Sequence, residues 1–246
     1  MGLLAKPYLQ RISARFGADV DLESYPYNVA SVRALETIDF HADVTFFIGE
    51  NGAGKSTVLE AIALALGFNM EGGTKGVQLN TAHQAAPLHQ SLKMSRSYKA
   101  PRDGYFFRAE SFHNVATYMD EIVPHYLDSY GGGLLHARSH GEAFMAVLLH
   151  KFKGNGLYLL DEPEAALSPN RQLMALSAIH QLVEKDSQFI IATHSPILLA
   201  YPNAKILQFD GAGITEVAYE ATEHFAITRD FLNHYPRRLE QLLKSE

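Results

Sequence analysis

The chain has 246 residues, no cysteine, and 27 acidic against 21 basic side chains, giving a formal net charge of −6. These numbers leave room for one α/β domain with ample core, and they exclude disulfides, thiolate metal sites and cysteine catalysis. They also deny the chain a strong global basic field for holding nucleic acid. No apolar stretch approaches the ~20 residues of a membrane span. Met1 to Pro7 does not read as a secretion signal, so a cytoplasmic setting is expected.

In chain order, Tyr8 to Ala14 and Val29 to Phe40 read as strands of an N-terminal β lobe occupying about residues 1–43. Val44 to Ile48 is a β-branched and aromatic run of the kind a buried strand needs. It runs into Gly49-Glu50-Asn51-Gly52-Ala53-Gly54-Lys55-Ser56, which meets the phosphate-binding pattern GxxxxGK[ST] at every fixed position. The glycines let backbone N–H groups turn inward around phosphate oxygens. Lys55 is expected to reach the β- and γ-phosphates, and Ser56 to offer its hydroxyl to Mg²⁺. The Ala/Leu-rich stretch from Ser56 to Leu66 reads as a helix whose positive end faces the phosphates.

Residues 67–103 are polar and lack periodicity, which predicts a long loop or poorly ordered insert near the nucleotide. A basic cluster lies inside it, Lys93 to Lys99 with Arg102. A solvated loop accounts for that cluster at least as well as a phosphate-backbone contact. Ser111 to Tyr130 reads as helical with a break at Pro124, followed by a joint at Gly131-Gly132-Gly133. Ser139 is then placed to cap a helix beginning near Gly141. A capped helix start of this kind is also an anion site, and the two roles are compatible.

Gly156 to Asp161 is an apolar strand ending in two acids, Asp161 and Glu162. Adjacent carboxylates on a strand point to opposite faces, so they should do different jobs. Asp161 is placed to hold Mg²⁺, and Glu162 to orient and deprotonate an attacking water. A crossover helix, Asn170 to Lys185, leads to the strand Phe189 to Ala192 and to His194, which can hydrogen-bond the γ-phosphate and the water. Lys205 to Phe209 and Ile214 to Tyr219 read as a hairpin. A last helix, Thr228 to Lys244, is interrupted by Pro236. No internal repeat and no heptad run is evident.

The ordered set Gly49–Thr57, Ser139–Glu142, Leu157–Pro163 and Ala192–Pro196 resembles the ATP-binding cassette class of P-loop ATPases. More narrowly it resembles the stand-alone soluble bacterial ATPases, AAA family ATPases related to the SMC-like and overcoming-lysogenization-defect-like groups. The resemblance spans roughly Tyr8 to Asp210. It implies a single α/β P-loop domain over residues 1–246, with a mixed sheet flanked by helices and an N-terminal antiparallel β lobe. The core would be residues 44–66 and 156–220, with a loop and short helical signature insert at 67–155 and a C-terminal helix at 228–244.

The resemblance also implies Mg-ATP as ligand. Glu50, Asn51, Gly52, Ala53, Gly54, Lys55, Ser56 and Thr57 would bind nucleotide, Ser56 and Asp161 would hold the metal, and Glu162 and His194 would be catalytic. Ser139 and Gly141 match two positions of the signature loop, which in the family contacts the γ-phosphate held by the other subunit of a head-to-tail dimer. His140 and Glu142 depart from the usual Ser-Gly-Gly-Gln sequence. Glu164 to Pro169 falls at the family's dimer-contacting loop. The residue that senses γ-phosphate is usually a glutamine; Glu110 is the best positional counterpart, with Gln84 and Gln90 as alternatives. Tyr25 and Tyr27 lie at a plausible distance upstream for stacking adenine.

Three functions stay open at this point. The first is an ATP hydrolase whose cycle joins and separates an ATP-dependent homodimer, acting as motor or regulatory subunit for an unidentified protein partner. The second is an ATP-loaded binding switch with little turnover. The third is the ATP-binding subunit of a transporter, disfavoured because only 29 residues separate Glu110 from Ser139. Nucleic acid is left open as a partner without support from the net charge. No second cluster of acids and histidines suggests a nuclease.

Overall fold

The computed structural model describes residues 6–18, 20–77, 86–122, 124–135 and 137–244. In chain order the elements are β1 (Leu9–Ala14), α1 (Ala30–Arg33), β2 (Thr37–Asp39), β3 (Val44–Ile48), α2 (Lys55–Ala65), β4 (Leu92–Arg96), β5 (Asp103–Arg108) and α3 (Phe112–Thr117). They continue with α4 (His140–Ala146), β6 (Gly156–Asp161), α5 (Pro169–Glu184), β7 (Gln188–Ala192), β8 (Lys205–Asp210), β9 (Gly213–Glu216) and α6 (Glu223–Leu243). Short 3₁₀ and π turns fill several of the intervals.

The main sheet has the order β5-β6-β7-β3-β8-β9, and every neighbouring pair is parallel except the β8–β9 hairpin. Placing β7 between β6 and β3 brings the carboxyl ends of three strands side by side. There the chain turns into the phosphate loop, the acidic pair and His194, the region where open α/β sheets bind ligands.

A smaller antiparallel sheet, β2-β1-β4, lies beside it. The buried amide of Gln188 joins the two sheets. Its Oε1 accepts from Leu9 N at 2.9 Å, and its Nε2 donates to Leu9 O at 2.9 Å and His41 O at 3.0 Å. A side-chain amide supplies both donor and acceptor, so it replaces a missing strand neighbour without leaving a buried polar group unpaired.

Alternation along the strands builds a core on each face of the main sheet. Phe46, Tyr158, Leu160 and Ile191 enter the cluster shared with α4 and α5. Phe47, Leu157, Leu159 and Ile190 enter the cluster shared with α2 and the small sheet. The period-two pattern thus produces three layers from one set of fully buried strands.

Three expectations need correction. Residues 29–40 are not one strand, because Ala30–Arg33 form a helical turn and only Thr37–Asp39 pair with β1. Residues 67–103 are not simply a loop. Leu92–Arg96 form an edge strand on β1, and Gly73 exchanges both backbone hydrogen bonds with Phe106 along the outer edge of β5. That contact covers an otherwise unpaired strand edge. The last helix begins at Glu223 rather than Thr228, with Thr222 Oγ1 accepting from Phe225 N as its cap, and it bends at His234. Gln84 falls outside the described residues.

Candidate nucleotide-binding and catalytic site

The loop between β3 and α2 wraps over the start of the helix. Gly54 has φ +94°, and a Cβ there would meet Ser31 Oγ at 2.7 Å, so both backbone conformation and space demand glycine. Ser31 in turn hydrogen-bonds Ala53 O and anchors the loop to α1. Lys55 is 4% exposed, and its ammonium donates to Gly49 O at 2.8 Å and Glu50 O at 2.9 Å. Burial lowers its proton affinity, while Glu162, Asp161 and Glu164 act in the opposite sense. Glu50, Asn51 and Gly52 form the exposed rim of the loop.

Ser56 Oγ donates to Asp161 Oδ1 at 2.8 Å. The two side chains expected to share a metal therefore already converge, from the start of α2 and the end of β6. Burial pushes the Asp161 carboxyl up to about 6, against the opposing effects of the Ser56 hydroxyl and Arg108. A buried carboxylate and a hydroxyl on adjoining elements form an oxygen donor pair of the kind Mg²⁺ takes, alongside phosphate oxygens. The residues present fit the cation and nucleotide that the sequence implies.

Glu162 points the other way. Its Oε1 lies 3.8 Å from His194 Nε2, and its backbone has φ +50°. The left-handed backbone turns the chain sharply at the strand end, so consecutive carboxylates face different groups. His194 Nε2 is buried with no hydrogen-bond partner. Burial lowers the proton affinity of His194 and nearby Lys55 lowers it further, with Glu162 opposing. His194 N donates to Glu164 Oε1 at 2.6 Å, and burial raises the Glu164 carboxyl. A cleft of about 670 Å³ opens over Gly49, Asn51, His194 and His224.

Glu110 sits on the turn after β5, largely exposed, with its carboxylate 3.3 Å from Arg108 Nη2. With His140 and Glu162 it borders a second cavity of about 440 Å³. Gln90 is exposed on the 3₁₀ turn Pro87–Ser91. Tyr25 is 62% exposed and its hydroxyl lies 3.0 Å from Thr57 Oγ1, whereas Tyr27 is buried edge-on against Phe16. Of the two tyrosines, only Tyr25 offers a free ring face.

Ser139 caps α4 in a capping box, accepting from Glu142 N at 3.3 Å while its own N donates to Glu142 Oε2 at 2.9 Å. Its polar contacts go to Glu142 rather than to the phosphate loop of the same chain. At Gly141 a Cβ would meet Ala166 O at 2.4 Å. That close approach seats α4 against the loop at 163–168, and Arg171 Nη2 bonds Glu142 Oε1 at 3.2 Å across the same contact. Glu142, in place of the usual glutamine, therefore has two structural partners.

Sequence reasoning missed three site residues. Arg108 lies opposite Asp161 in the β5–β6 register, its Nε 3.8 Å from Asp161 Oδ2 and its Nη1 2.7 Å from Glu60 Oε2. Strand alternation through the residues just before Glu110 was the available signal. Glu164 was read only as part of a loop. His224 approaches His194 from α6, and nothing local in the sequence marks it.

Residues 27–100 match the family model of the AAA domain, which is less than half of the chain. No curated protein sequence matches. Among solved structures, the chain is similar to MJ1267, an ATP-binding cassette of an ABC transporter in its ADP conformation (16% identity, 96% of this chain and 99% of that chain, TM-score 0.48). It is also similar to cbiO1 from Clostridium perfringens, part of the ABC transporter complex cbiONQ (17%, 96% and 98%, 0.49). A third likeness is the SMC head domain from Thermotoga maritima (14%, 85% and 99%, 0.44). The strand order and the meeting of phosphate loop, acidic pair and histidine at one sheet edge carry the fold assignment. The chain has an α/β fold with the phosphate-loop pattern at the carboxyl edge of a mixed, mostly parallel sheet, and the AAA domain model matches it over residues 27–100.

Proposed function

We propose that the chain binds and hydrolyses Mg-ATP and that nucleotide joins two copies of it into a dimer. The observation that carries this reading is the convergence of Ser56 with Asp161 on one side of the β6 terminus and of Glu162 with His194 on the other. Mg²⁺, when bound with ATP, supplies charge that neutralises the phosphate oxygens, and Ser56 and Asp161 are the side chains to hold it. Lys55 exchanges its contacts with Gly49 O and Glu50 O for phosphate oxygens. Glu162 takes a proton from the attacking water. His194 offers its unpaired Nε2 to the γ-phosphate and that water. Tyr25, exposed and with its hydroxyl 3.0 Å from Thr57 Oγ1, would stack the base.

Ser139, whose polar contacts go to Glu142, and Gly141, packed on Ala166, would complete the site of a second copy. Such an isologous contact closes as a dimer. An unidentified protein partner would then read the joined and separated states. The Glu162–His194 contact favours hydrolysis over a silent switch, since a pure switch has no need of a base and its histidine.

Phosphate release from ATP by the purified protein tests the reading, with Glu162→Gln as background. Release well above that background supports the hydrolase. Equal rates from both, with ATP bound tightly, would turn the reading to the binding switch.

A further inference from the structure

His224 lies outside every motif described above. It sits in the first turn of α6, two residues after the Thr222 cap, and its Nε2 is 3.4 Å from His194 Nδ1. The ring centroids are 5.5 Å apart, and the other nitrogen of each ring, His224 Nδ1 and His194 Nε2, is buried without a partner. Two imidazoles facing one another through one nitrogen each can share a single hydrogen bond only if one is the donor and the other the acceptor. The free nitrogen of His194 faces Glu162 and the cleft, where a donor is useful.

We propose that His224 is a positioning residue that donates Nε2–H to His194 Nδ1, holding His194 as the Nε2–H tautomer with its proton aimed at the γ-phosphate side of the cleft. The inference rests on the reading of His194 as a contact to γ-phosphate and water. The groups facing the pair are Lys55, Glu162 and Glu223. Lys55 and burial both disfavour a charged imidazole on either ring, so the arrangement holds two neutral rings and one shared proton. The α6 N-terminus adds a positive dipole end beside His224, which acts in the same direction. Because His224 belongs to α6, and α6 has no fully buried residue, the seating of that helix governs the tautomer of His194.

The test reads the rings directly, in ligand-free ¹⁵N-labelled protein, from two-bond imidazole correlations assigned with His194→Gln and His224→Phe. The wild type should show His194 protonated on Nε2. His224→Phe, which keeps the ring volume and removes the donor, should move His194 toward the Nδ1–H form. His224→Gln, whose amide can donate to the same nitrogen, should restore it. In turnover, His224→Phe should lower kcat about tenfold with KM unchanged, roughly the worth of one ordinary hydrogen bond, and His224→Gln should recover most of it. Nδ1–H on His194 in the wild type overturns the proposal whatever the variants do. An unshifted His194 spectrum in His224→Phe, or equal losses in the Phe and Gln variants, overturns it as well. The ring measurement needs no ATP, so failure of the hydrolase reading shows separately, as absence of phosphate release by the wild type.

Discussion

Ser56 Oγ and Asp161 Oδ1 are 2.8 Å apart although 105 residues separate them in the chain. One belongs to the first turn of α2, the other to the last residue of β6, and β7 lies between β6 and β3 in the sheet. On the proposed reading, this hydroxyl and buried carboxylate, drawn together across that distance, are the pair that would hold the cation.

Asp161→Asn and Glu162→Gln should fail differently. Asp161→Asn removes the buried charge, so Mg²⁺-dependent ATP affinity should fall. Glu162→Gln should keep ATP binding while turnover drops by about 10²–10⁴-fold, the usual worth of a positioned base. Calorimetry paired with phosphate release checks both. Parallel loss of binding in Glu162→Gln would move that residue into the metal's shell.

Lys55→Ala should abolish tight Mg-ATP binding. It should also cost the ligand-free chain some order in the phosphate loop, because the ammonium ties down Gly49 O and Glu50 O. Hydrogen exchange at residues 49–54 should therefore quicken while the melting transition stays cooperative. Unchanged ATP affinity would place the nucleotide elsewhere.

Light scattering on Glu162→Gln with and without Mg-ATP tests the dimer. A shift to twice the mass is expected with nucleotide at tens of micromolar protein, a choice that spans micromolar affinity. Ser139→Arg should bind ATP yet stay monomeric, since bulk and charge would enter the contact. A monomer in Glu162→Gln with saturating Mg-ATP removes the nucleotide-joined pair.

Gly141→Ala should destabilise the chain by about 1–3 kcal/mol, the usual cost of forcing a methyl into a closed contact. The new Cβ would meet the Ala166 carbonyl at 2.4 Å. Thermal melting in the absence of nucleotide reads the effect, and an unchanged melting temperature would mean that α4 is not seated on that loop.

His194 and His224 both hold protons more weakly than an ordinary imidazole at 6.5, chiefly because they are buried and secondly because of Lys55. Below 6.5 the unfolded chain therefore takes up protons first. The stability these neutral rings contribute is present above 6.5 and is lost as pH falls through their folded values. The melting temperature of the double variant His194→Gln/His224→Phe should consequently fall less than that of the parent between about pH 7 and about pH 5. A parallel decline in both proteins would show that other groups carry the acid sensitivity.

Much of the site was legible in the residues alone. The phosphate loop, the acidic pair and His194 each end a fully apolar run, and an apolar run followed by polar residues marks both a buried strand and the sheet edge where it stops. Local chemistry thus placed Asp161, Glu162 and His194 at strand ends and Lys55 and Ser56 at the helix start behind the phosphate loop, and strand alternation assigned the two carboxylates to opposite faces. It also marked the Ser139 cap, because capping is decided within four residues. Tertiary structure alone decided what crosses between elements. Arg108 reaches Asp161 through strand register, the edge strand Leu92–Arg96 exists because β1 offers it an open side, and Glu142 is held by Arg171 from another helix. His224 meets His194 only because α6 starts beside the cleft. Periodicity and capping are short-range and written in neighbouring residues, whereas these contacts depend on packing that brings distant segments together, for which no local pattern exists.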